Sequence, residues 1–137
     1  MTQKDGWVIL KALLLFLIFC SSDALAHGSH TPIPKAAAQL VTAVHDAAVS
    51  EKPESLRKFM APDFVSSFGG DGGPDEAIDL WGQDRSYLKQ LERATVGECV
   101  LTSPGYLECP AQAGANHRAG FKLTKGGWRF FSFVAGD

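Results

Sequence analysis

The sequence predicts an α+β domain in which N-terminal helices pack on a C-terminal antiparallel sheet of about four to five strands. Three observations carry that expectation. Apolar residues before Gly97 recur mostly at helical spacing, those after it alternate with a period near two, and paired glycines punctuate the chain at Gly69-Gly70, Gly72-Gly73 and Gly126-Gly127.

The first segment reads as an address rather than as part of the fold. Lys4 precedes an apolar run at residues 12–19, a polar Ser21-Ser22-Asp23 and then Ala24-Leu25-Ala26 before His27. That is the pattern of a secretory signal peptide over residues 1–26, with an A-x-A cleavage site, although Lys11 sits unusually close to the run. The run is far shorter than the ~20 residues that span a bilayer, so no membrane anchor is expected after cleavage. Lipid attachment at Cys20 is disfavoured by the bulk of Phe19 where such a site needs a small residue. The expected protein is soluble and periplasmic or secreted.

Charge and cysteines narrow the class further. Of 137 residues with a formal net charge of −2, the leader removes two basic (Lys4, Lys11) and two acidic (Asp5, Asp23) residues, so the balance is unchanged. A chain this close to neutral gives no electrostatic reason to expect nucleic acid or an anionic membrane as partner. Cys99 and Cys109 remain, and an even pair in an oxidising compartment predicts a disulfide.

The elements follow in order. Residues 27–34 contain Pro32 and Pro34 and form an extended lead-in, and residues 35–137 form one domain. Leu40, Val41, Val44 and Ala48 make a helical stripe over residues 35–49, with Gln39 and Asp46 opposite and His45 on its flank. Pro53 opens a short helix bearing Leu56, Phe59 and Met60, which Pro62 ends. Residues 64–68 are β-prone, and residues 69–73 are a loop. Pro74 starts a helix with Asp75 and Glu76 in its first turn and Ile78 and Trp81 on its buried face. Asp84 caps a further helix in which Tyr87, Leu88, Leu91 and Thr95 share a side.

Beyond Gly97 the pattern is strand. Residues 98–102 and 106–110 flank the turn Ser103-Pro104-Gly105, a register that sets Cys99 opposite Cys109 and Leu101 opposite Leu107. Residues 110–118 read as a surface loop. Residues 119–125 and 128–134 form a hairpin about Gly126-Gly127, with Leu123 opposite Phe130 and Lys125 opposite Trp128. The last strand is apolar on both faces, Phe130 on one and Phe131 and Phe133 on the other, and is expected in the sheet interior.

Few residues invite chemistry. The glycine loop lacks the Lys-Ser/Thr of a P-loop and the G-x-G-x-x-G spacing, and Asp71 within it would repel a phosphate. It is expected to be a hinge between strand and helix. No G-x-S-x-G or H-E-x-x-H occurs, no catalytic residue is assigned, and no cofactor is expected. The expectation is binding of a protein or small ligand rather than catalysis. Asp63 and Asp71 near Trp81 are the candidate ligand contacts if helices and sheet enclose a pocket for a small hydrophobic molecule. Cleavage after Ala26 would expose His27, whose amine and imidazole suit Cu(II), with His30 as a second ligand.

Asp63-Phe64, Phe68-Gly-Gly-Asp-Gly-Gly-Pro74, Trp81 and the closing residues 126–137 resemble the ends of a family of uncharacterised exported bacterial proteins. Members often carry an SH3-like module after a Tyr-x-Cys-Pro segment. Here Tyr106-Leu-Glu-Cys109-Pro110 resembles that segment, but residues 111–118 replace the module. The resemblance implies architecture and no reaction, and it implies that the glycine loop meets the closing strand, residues 128–137. The order of elements and the step Ala61-Pro62-Asp63-Phe64 are more loosely similar to the NTF2-like cone fold, which often encloses a pocket.

Overall fold

A computed structural model describes residues 31–67 and 72–136, within a unit spanning Thr31–Asp137. The leader, Cys20, His27, His30, Gly69-Gly70 and Asp71 lie outside the described residues.

Helix α1, Lys35–Val49, takes its predicted bounds and buries Ala37, Val41, Val44, Ala47 and Ala48. A 3-10 helix, Pro53–Phe59, follows and runs directly into β1, Met60–Ser66. The strand therefore begins four residues earlier than expected, and Pro62 lies inside it instead of ending a helix. Proline is tolerated because β1 is an edge strand whose pairing is interrupted between Met60 and Val65, so no ladder donor is needed there. Helix α2, Gly73–Gln83, has Pro74 in its first turn and buries Ala77, Ile78 and Trp81. Helix α3, Ser86–Val96, buries Leu88, Leu91, Ala94 and Thr95. Asp84 Oδ1 accepts from the Ser86 N–H at 2.9 Å, which satisfies one of the unpaired donors at the start of α3.

Four further strands complete the sheet: β2, Val100–Ser103; β3, Tyr106–Cys109; β4, His117–Thr124; and β5, Gly127–Ala135. The order is β1-β5-β4-β3-β2. The sheet is mixed rather than purely antiparallel, because β1 lies parallel to β5 while the other neighbours are antiparallel. A parallel pair needs a long connection, and α2, α3 and the β2–β4 meander supply it. Val65 pairs with Ser132 and Ser66 with Phe133, so β1 lies beside the last strand as it approaches the glycine loop, whose residues 69–71 are outside the described residues.

Leu101 faces Leu107 as expected, and Cys99 is joined to Cys109 with an S–S distance of 2.01 Å. The β4–β5 hairpin differs from expectation. Its turn is Lys125-Gly126, which sets Thr124 opposite Gly127, Leu123 opposite Trp128 and Phe121 opposite Phe130. The Thr124 hydroxyl fixes this choice by donating to the Gly127 carbonyl at 2.7 Å and accepting from the Gly126 N–H at 3.2 Å. Gly127 follows at φ 98°, a conformation that favours glycine.

Farther along β5 the register slips by one residue between Gly120 and Phe121, leaving Phe131 as an extra residue. Such a bulge reverses the alternation of side chains. Phe130 and Phe133, expected on opposite faces, therefore both point at the helices, and both rings contact Trp81. The core lies between the helices and this face, with Trp81, Phe121, Phe130, Phe133, Leu88, Leu91 and Leu107 almost fully buried. On the other face Tyr106 lies across β4 and reaches Ser132 Oγ at 3.2 Å. Gly120 makes room for it, since a Cβ there would collide with both the Tyr106 and Ser132 hydroxyls.

Candidate functional site

Of the candidate ligand contacts named from sequence, Asp63 and Trp81 are among the described residues. Trp81 is 1% exposed and is enclosed edge-to-face by Phe64 at 5.8 Å and Phe133 at 5.7 Å, with Phe130 at 6.5 Å. Its ring offers no surface to a ligand. Asp63 is exposed while its neighbour Phe64 turns inward, as alternation along a strand requires. Asp71, His27 and His30 are outside the described residues. Within them, no group of three or more His, Cys, Asp or Glu side chains could hold a metal ion.

Concave space with convergent polar groups occurs elsewhere, where α3 meets the β3–β4 loop. A cleft of about 450 Å³ opens there, within the size range of small-ligand sites. Helix α3 supplies Gln90, Arg93 and Ala94 as one wall. The helix is amphipathic and turns Leu88 and Leu91 into the core, so Gln90 and Arg93, three residues apart, stand together on its flank. The opposite wall comes from Pro110, Gln112, Asn116 and His117, with Ala113 at its base.

That second wall is an irregular segment held at several points. It leaves β3 at Cys109, the residue bonded to Cys99, through a cis Cys109–Pro110 peptide. The Ala111 N–H donates to the Glu98 carbonyl at 2.6 Å, and the Asn116 N–H donates to the Ala113 carbonyl at 3.0 Å. The Gly136 N–H then binds the Asn116 carbonyl at 2.9 Å, joining the loop to the end of β5. A wall tied by these hydrogen bonds to Glu98 before β2 and to Gly136 after β5 loses little freedom on meeting a ligand.

His117 closes the inner end. Its ring stacks on Phe133 at 4.8 Å and meets the edge of Tyr87 at 6.0 Å. Nε2 is buried without a hydrogen-bond partner. Burial lowers the pKa of this imidazole, which keeps it neutral at pH 7. The other donors of the cleft are uncommitted. No side chain among Gln90, Arg93, Gln112 and Asn116 bonds to another described residue. No Asp, Glu, Ser, Thr or Cys lines the cleft. The means available are hydrogen bonding, one positive charge and a neutral imidazole.

A second groove, of about 570 Å³, lies beside Ser50–Glu54 and Arg85 but is shallower. Its arginine is occupied, because Arg85 Nη1 donates to the Glu51 carbonyl and so links the end of α1 to α3.

Sequence reasoning missed the cleft because residues 110–118 read as featureless surface loop. The signal was present in Gln90-x-x-Arg93 on a helix flank and in the amide-rich Gln112 to Asn116 stretch, but nothing in either shows that they face each other. No protein-family model matches this chain, and no curated protein matches it.

Proposed function

We propose that this is an exported, disulfide-stapled binding protein that takes a small polar ligand in the cleft between α3 and the β3–β4 loop. The observation that carries the reading is the convergence of uncommitted donors from two separately anchored walls on one concave space. Export is supported by the leader-like residues 1–26 and by the Cys99–Cys109 bond. No described helix is long and apolar enough to cross a membrane. The likeness to exported bacterial proteins rests on its motifs and adds architecture but no ligand.

The test is a screen of small polar compounds against ¹⁵N-labelled full chain. Ligands should move the amide signals of Gln90, Arg93, Gln112, Asn116 and His117 together. Ligands that move other signals only, or no ligand at all, would end the reading.

A second reading, an NTF2-like pocket protein or an enzyme on a small hydrophobic ligand, is favoured by the order of elements from helix through short helix and strand to meander. Its expected pocket wall at Trp81 is filled by Phe64, Phe130 and Phe133. Quenching of Trp81 fluorescence by a hydrophobic ligand at intact fold would support it, and binding only after unfolding would dismiss it. Copper binding through His27 and His30 rests on sequence alone. Protein beginning at His27 should then bind Cu(II) more tightly than a version with one extra N-terminal residue, and equal affinity would dispose of it.

A further inference from the structure

We infer that the ligand of this cleft is a short peptide with a free C-terminal carboxylate, held by Arg93 at the carboxylate and by Gln90, Gln112 and Asn116 at the peptide groups. The inference rests on the binding reading above and specifies it.

Charge is the first argument. Arg93 is the sole charged residue among those lining the cleft, and it makes no ion pair with another described residue. Its place in the last turn of α3 suits the helix dipole, but that interaction is satisfied by charge alone and leaves the planar fork of N–H donors unused. A carboxylate matches that fork with two parallel hydrogen bonds. A cationic ligand would meet only repulsion, since no Asp or Glu lines the space.

The amides are the second argument. Gln90, Gln112 and Asn116 each present a paired donor and acceptor. A peptide group presents the same pair, whereas a phosphate or a simple dicarboxylate presents acceptors only and would leave the amide carbonyls unmatched. Three such side chains around one arginine complement a carboxylate followed by peptide units. Pro110 and Ala113 supply apolar wall for small side chains. His117 stays neutral and adds no second positive charge, so the site favours one negative charge rather than two.

The experiment is equilibrium dialysis of the full, disulfide-bonded chain against two tripeptide libraries of mixed sequence, one with free C-termini and one amidated, read by mass spectrometry. Enrichment of free acids is expected, with about tenfold or greater weakening of the best binder on amidation. Arg93→Gln should weaken the free acid by a similar factor and leave the amide unchanged, a coupling that a merely structural arginine would not produce. Equal retention of acid and amide, or no retained peptide, would overturn the inference. If any small polar compound still moves the cleft amide signals in either case, the binding reading survives without the inference. If none does, both fall.

Discussion

His117 shows how much one side chain can report. Its Nε2 is buried without a partner and desolvation lowers its pKa, so the folded state holds fewer protons than the unfolded chain near the ordinary histidine value. Stability is therefore complete above about pH 6.5 and falls as pH drops through the lowered folded value. Urea midpoints compared between about pH 7.5 and 5.5 should decrease in the native protein. In His117→Phe, which keeps an aromatic ring against Phe133 without a titrating nitrogen, the decrease should be smaller. At neutral pH that substitution should cost little, because it removes an unpartnered polar atom rather than a hydrogen bond. His45 is a different case, since its Nδ1 meets Thr95 Oγ1 at 3.0 Å and clips α1 to α3. His45 stands on a helix and His117 opens a strand, and neither position declares the partner of its ring. The partner decides its character.

At the scale of elements, the β2–β3 hairpin and β5 do the positioning. The disulfide closes a short stretch, with a sequence separation of 10, so converting Cys99 and Cys109 to Ser should lower stability by about 3 kcal/mol, measured by urea unfolding. Gly120 is the point at which Tyr106 crosses β4. Gly120→Ala should cost about 1–3 kcal/mol and change the near-ultraviolet dichroism of Tyr106, because the added methyl must displace the ring or the Ser132 hydroxyl. The bulge at Phe131 has the larger consequence. It turns both Phe130 and Phe133 toward Trp81 and leaves Phe131 on the far face, where Lys122 Nζ lies 4.8 Å from its ring centre.

For the whole molecule, the aromatic centre joins helices and sheet. Trp81 from α2 touches Phe64 of β1 and Phe130 and Phe133 of β5. Trp81→Ala should cost about 3–5 kcal/mol, a large share of the ~5–15 kcal/mol that separates a folded domain from its unfolded chain. Calorimetry should show a broad or missing transition. The cleft lies at the edge of this core rather than within it. His117, stacked on Phe133, is the contact between the two.

Much of this fold was legible because it is local. The α1 stripe matched its helix over Lys35–Val49, Pro74 and Asp84 marked helix starts, and the cysteine spacing agreed with the pairing of Leu101 and Leu107. Each depends on residues close in the chain, where periodicity, caps and turns act directly. Other features depend on distant partners. Pro62 belongs to a strand because β1 found an edge position beside β5. The sheet is mixed because the chain returns beside β1 after two helices and a meander. Phe130 and Phe133 share a face because a bulge, invisible as a pattern, reset the alternation. The cleft was hidden for the same reason. Gln90 and Arg93 are separated in sequence from Gln112 and Asn116 by two strands, and only the packing of α3 against the loop brings their donors to one space. The α+β class and most of its elements could be read from the residues alone, because local energetics specify them. The tertiary structure decided register, strand order and the site, which depend on the contacts distant segments make once the core has closed.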